Sequence, residues 1–195
     1  MKPKGFYLSY TQINLYYHNP QEYYMQYVLG IKPKPTRPMQ YGSIGHQAIA
    51  DPSFDWRAAL LAGRFLGAEE RAIERAVAAV PRCARHEVEI TATWGDVTLY
   101  GIIDGLDDTT FRERKFAAPG AWNQARVDDD LQLTFYWWLL GLTRVKIKRA
   151  YLDHINSKTG TLHSFETTRN KTDLQGVENL VEYCYKGIKA ENWGA

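Results

Sequence analysis

A chain of 195 residues with 45% hydrophobic and 24% charged side chains can bury an ordinary core, which excludes a disordered tail. The net charge of +2 permits a nucleic-acid partner without requiring one, and two cysteines, Cys83 and Cys184, are too few for a disulfide framework or a closed cysteine metal site. No apolar run is long enough to span a bilayer and no secretory h-region stands out, so an intracellular, cytoplasmic protein without membrane partners is expected.

Ser9-Tyr-Thr-Gln12 has the form of a capping box opening a helix, with Ile13, Tyr16 and Tyr17 along one face. Asn19-Pro20 interrupts that helix, and Pro20 can begin a second one running to about Val28. Gly30 to Pro38, with three prolines, reads as a stiff loop carrying Lys32, Lys34 and Arg37. A helix is predicted from Gly42 through Ala50. Trp56 to Val80 is predicted helical, with an interruption near Gly67.

After Pro81 the period changes. His86 to Thr93 alternates as a strand, followed by the strand Val97 to Asp104 and the strand Thr110 to Phe116, with Asp107 and Asp108 in the turn. Asp128 to Leu142 is predicted as a helix, then strands at 146–155 and 161–168 around the turn Asn156 to Gly160, then a helix from Lys171 to about Ala190. Helices, three strands, helix, two strands, helix describe an α/β or α+β layer on a mixed sheet.

The segment Gly101-Ile-Ile-Asp104 followed by Glu113-Arg-Lys115 carries the most chemistry. Side chains two apart on a strand share a face, so Glu113 and Lys115 lie together. If the hairpin closes in register, Asp104 faces them. Two carboxylates beside an ammonium can hold a hard divalent cation and activate a water. The plainer alternative is a surface hairpin with weak cross-strand ion pairs.

His46 sits among the small residues Gly42, Ser43 and Gly45, which would let a strand or a metal come close. It is either a packing residue or an imidazole ligand that would tilt a carboxylate site toward Mn2+. Gln132 and Tyr136, four apart on a helix, share one face and could contact a phosphate, or simply pack. Seven tyrosines between Tyr7 and Tyr27, next to the basic loop, suit either core packing or stacking of single-stranded bases. A second basic group, Arg144, Lys146, Lys148 and Arg149, reads as a solvated face or a phosphate contact.

In order, these elements resemble the RecB-like branch of the PD-(D/E)xK nuclease superfamily, and within it the small CRISPR-associated and phage-type exonucleases. The resemblance runs from the Ser9 helix through Asn19-Pro20, Tyr41-Gly-Ser-Ile-Gly-His46, Gly101 to Asp104 and Glu113-Arg-Lys115 to Gln132-Leu-Thr-Phe-Tyr136. It implies a restriction-endonuclease-like mixed sheet flanked by helices, in one nuclease domain over 1–195. Residues 1–80 would form a mainly helical region with His46, and 81–195 the catalytic sheet. It implies Asp104, Glu113 and Lys115 as catalytic residues. Mg2+ or Mn2+ would be held by His46, Asp104, Glu113 and the Arg114 carbonyl. DNA contacts are expected from Gln132, Tyr136, Lys32, Lys34 and Arg37.

The implied activity is a metal-dependent DNA exonuclease favouring single-stranded or frayed ends. The alternative is a non-catalytic nucleic-acid-binding subunit of a recombination, repair or CRISPR-adaptation assembly. Many members of that branch hold an iron–sulfur cluster on four cysteines, the first just before the proline. Here that position is Asn19, so no cluster is expected.

Overall fold

The structure, a computed structural model, describes residues 3–194. Helix α1 (Tyr10–His18) begins where predicted, because Ser9 and Gln12 bond reciprocally: Oγ accepts from Gln12 N–H, and Gln12 Oε1 accepts from Ser9 N–H at 2.9 Å. Asn19 ends α1 and caps α2 (Pro20–Tyr23), its side chain accepting the N–H of Glu22 at 3.0 Å. A π-helical stretch, Tyr24–Val28, carries the helix to its expected end with a wider last turn.

Helix α3 (Arg37–Ala50) starts five residues before the predicted Gly42. Pro38 fits the first helical turn, where a missing N–H has no partner to lose, so Arg37 lies on a helix and not in the loop. Helices α4 (Trp56–Ala62) and α5 (Gly67–Ala79) divide the predicted helical stretch at residues 63–66, next to the interruption expected near Gly67.

Five strands follow in the spatial order β1 (Arg85–Trp94), β2 (Val97–Leu106), β3 (Thr110–Ala117), β4 (Arg149–Asn156) and β5 (Leu162–Thr167). All neighbours are antiparallel except β3 and β4, which are parallel. A parallel pair needs a long crossover, supplied by α6 (Gln124–Asp128) and α7 (Leu131–Leu142). The helix predicted from Asp128 therefore starts later. Asp130 caps α7 by accepting the N–H of Leu133 at 2.8 Å, and Asp129 ends α6. Helix α8 (Lys171–Lys189) closes the chain.

The main core lies between α7, α8 and the sheet. Leu133, Phe135, Leu139 and Leu140 of α7 meet Leu99 and Ile103 of β2, Phe111 of β3, and Val177, Val181 and Cys184 of α8. A smaller core, with Tyr41, Leu60, Phe65 and Ile73, holds α3 to α5 together. Gly45 joins this helical layer to the sheet: a Cβ there would overlap the Phe116 ring, so only glycine lets α3 lie this close to β3. Cys83 is half-buried and Cys184 buried, both as free thiols. No helix among the described residues is long and apolar enough to cross a membrane.

Candidate active site

The β2–β3 hairpin pairs only at Gly105 with Arg112 and Leu106 with Phe111. One step further would set Asp104 against Glu113, and there the strands part. Asp104 Oδ2 instead accepts the backbone N–H of Arg114 at 2.6 Å, so a carboxylate occupies the place of a strand carbonyl. The buried Arg114 guanidinium donates to the Asp104 carbonyl at 2.8 Å, pinning the residue a second time. On the other flank, β1 pairs at His86 and Val88 but not at Glu87, which takes a left-handed φ of 48°. Such backbone costs of order 1–3 kcal/mol and clusters at functional sites. Both neighbours thus step away from Asp104, and the sheet opens into a notch with the carboxylate inside.

Glu113, Lys115 and Gln132 close a ring beside it. Lys115 Nζ donates to Glu113 Oε1 and to Gln132 Oε1, each at 2.7 Å, and Gln132 Nε2 donates to Glu113 Oε1 at 2.8 Å. Gln132 Nε2 also reaches the Tyr136 hydroxyl at 3.1 Å. These four predicted residues, two from β3 and two from α7, are one hydrogen-bonded group. Glu113 Oε2 is buried with no hydrogen-bond partner among the described residues.

From α3, His46 brings Nδ1 to 3.2 Å from Asp104 Oδ1. One ligand atom each from His46, Glu87 and Asp104 lie within 4.8 Å of one another. The resemblance did not include Glu87. A signal for it was present: the two-residue turn Gly95-Asp96 pairs Trp94 with Val97, and counting back along that register sets Glu87 opposite Asp104.

The electrostatics follow the burial. Burial, then the Asp104 charge, push the Glu113 carboxyl up to about 7. Burial also opposes the Asp104 charge, but the bond and charge of His46 and the Arg114 N–H outweigh it and hold Asp104 below the usual carboxylate range. Burial alone would lower His46 and Lys115; their acidic neighbours, Asp104 first for His46 and Glu113 first for Lys115, raise both. Burial and then the Glu113 charge raise the Tyr136 phenol.

The basic residues of the loop separate. The Lys32 ammonium lies 5.0 Å from the centroid of the Tyr27 ring, in a cleft that Tyr136 also lines. Lys34 is exposed. Arg37 is not brought to that cleft. It donates to the carbonyls of Gly63 and Arg64 and to Glu69, and it stacks on Phe65 at 4.1 Å, clamping α3 to the α4–α5 turn beside another cavity.

An acid at a break in a mixed sheet, beside Glu-x-Lys on the next strand, defines a restriction-endonuclease-like nuclease fold. A model of the PD-(D/E)XK nuclease superfamily matches residues 7–195, and the chain belongs to that superfamily. The fold is similar to that of a provisionally assigned exonuclease from Eubacterium rectale, with a TM-score of 0.68 at 13% identity over 91% of this chain and 77% of that one. It is also similar to the protein SSO0001, with a TM-score of 0.53 at 13% identity over 95% of this chain and 78% of that one. No curated protein matches the chain significantly.

Proposed function

We propose that the protein is a divalent-metal-dependent DNA exonuclease acting on single-stranded or frayed ends. The ring of Glu113, Lys115 and Gln132 beside Asp104 in an opened sheet carries this reading. The superfamily match supports phosphodiester hydrolysis, and the assignment of the Eubacterium rectale protein supports an exonuclease.

The donors fit a hard cation. A buried carboxylate oxygen without a partner is costly, and Glu113 Oε2 is such an atom. Carboxylate oxygens with one imidazole suit Mg2+ or Mn2+, the imidazole favouring the latter. His46, Asp104, Glu113 and the Arg114 carbonyl would hold the ion, with Glu87 as an added carboxylate. Such an ion would offset charge on the scissile phosphate and lower the pKa of a nearby water.

Lys115 keeps its proton under the influence of Glu113. Its part is therefore to orient the water and offset the charge that builds on the phosphorane. Gln132 holds Glu113 and Lys115 at fixed spacing, and Arg114 holds Asp104. Hydrolysis adds the hydroxyl of water to phosphorus and its proton to the departing oxygen.

The test is cleavage of end-labelled single- and double-stranded DNA with Mn2+, Mg2+ or EDTA, wild type beside Glu113→Ala. Metal-dependent products lost in the variant are expected. Equal cleavage by Glu113→Ala would overturn the site, and DNA binding without cleavage would favour a non-catalytic subunit.

A further inference from the structure

Six of the seven N-terminal tyrosines fall into two sets, and Tyr17 is exposed. Tyr16 and Tyr23 are buried, packed edge to face at 5.5 Å, and Tyr23 and Tyr24 lie against Trp193. Tyr16 and Tyr23 are core residues, and Tyr24 is half-buried beside them. Tyr7, Tyr10 and Tyr27 join Tyr100 and Tyr136 around an open cleft of about 310 Å3, with Lys32 in its lining; one face of the Tyr27 ring stacks on Tyr23 at 5.2 Å, and Tyr10 also packs against the core.

The cleft adjoins the acid notch. Past Asp104 the edge of β2 no longer pairs with β3, and Leu8 borders it instead: Leu8 N–H donates to the Thr98 carbonyl and Tyr100 N–H to the Leu8 carbonyl, both at 2.9 Å. Ile102, in the cleft, precedes Asp104 by two residues, roughly 7 Å along a strand. Tyr136 belongs to both places, since its hydroxyl is bonded to the Gln132 amide that also bonds Glu113. A Cβ on Gly101 would come within 2.9 Å of the Tyr136 ring, so glycine there lets that ring lie against β2.

We propose that this cleft is a base-stacking subsite for single-stranded DNA, taking an unpaired base next to the phosphate positioned at Asp104. The proposal rests on the nuclease reading above and says what would carry its preference for single-stranded ends. Tyrosine rings offer π-faces that any unstacked base can use, whereas bases inside a duplex are already stacked on both faces. The ammonium of Lys32 lies over the face of Tyr27 that Tyr23 leaves uncovered; a base taking that face displaces it toward the backbone phosphate, whose charge it offsets.

The experiment measures binding of a labelled oligothymidylate and of a blunt duplex of equal length by fluorescence anisotropy, in EDTA so that no strand is cut. Tyr27→Leu is expected to weaken single-strand binding about tenfold and to leave duplex binding unchanged, while Tyr27→Phe, which keeps a ring, retains the wild-type value. Lys32→Gln is expected to lower the salt slope of single-strand binding by about one. A 2-aminopurine near the strand end should be quenched by wild type and by Tyr27→Phe, and less by Tyr27→Leu. Thermal unfolding of each variant checks that it is folded. If wild type cleaves DNA but all three variants bind single strands as it does, the subsite is wrong and the nuclease reading stands. If wild type neither binds nor cleaves DNA, both fall.

Discussion

In EDTA, raising the pH from about 5 to about 8 should lower the stability of this protein, and Glu113 should be the main cause. Its carboxyl is buried, faces Asp104, and has one oxygen without a partner. In the unfolded chain it titrates near 4.5; in the folded protein, near 7. Between those values the folded state binds more protons than the unfolded one, so stability is greatest below about 4.5 and is lost as the pH rises through 7. The interval corresponds to about 3 kcal/mol at 1.36 kcal/mol per pH unit. His46 and Glu87, both raised, act with the same sign; His86, lowered by burial and by Arg114, acts against them. Asp104, held low, adds stability that is lost only under more acidic conditions. Urea unfolding followed by tryptophan fluorescence across this range reads the slope. Glu113→Gln keeps an acceptor for Lys115 and Gln132 but cannot titrate, so most of the slope should vanish. An identical slope in wild type and Glu113→Gln, or a wild type that gains stability from pH 5 to 7, would refute the reasoning.

Glu87→Gln should weaken Mn2+ binding about 10- to 100-fold by calorimetry, as loss of a supporting carboxylate does; an unchanged affinity, alongside its loss in Asp104→Asn, would remove Glu87 from the site. Gly160→Ala should cost about 3 kcal/mol or more in urea unfolding, because φ is 71° there and a Cβ would overlap the Ala72 carbonyl oxygen; a cost below about 1 kcal/mol would show that the β4–β5 turn and α5 are not packed this closely. In Gly45→Ala, displacement of the Phe116 ring should outweigh the gain in helix propensity, for a net loss of about 1–2 kcal/mol. The same shift should reduce cleavage by moving His46 from Asp104, and an unchanged or raised Tm would contradict it.

The sequence by itself determined what rests on neighbours in the chain. The Ser9–Gln12 box and the Asn19-Pro20 break are made by groups a few residues apart, so their residue types suffice. Gly101 to Asp104 and Glu113 to Lys115 were legible for the same reason, each lying along one strand. The start of α3, the split between α6 and α7 and the contacts of Arg37 were not, because each depends on a cap or a contact that competes with the local pattern. Only the tertiary structure decided that the hairpin opens at Asp104, that Arg114 pins it, and that β1 breaks its pairing at Glu87. Those contacts depend on where β1 and β3 lie on either side of β2, and on the parallel pairing of β3 with β4 across a whole helical crossover. Local propensity has no information about that closure; burial of the α7 face against the sheet supplies it.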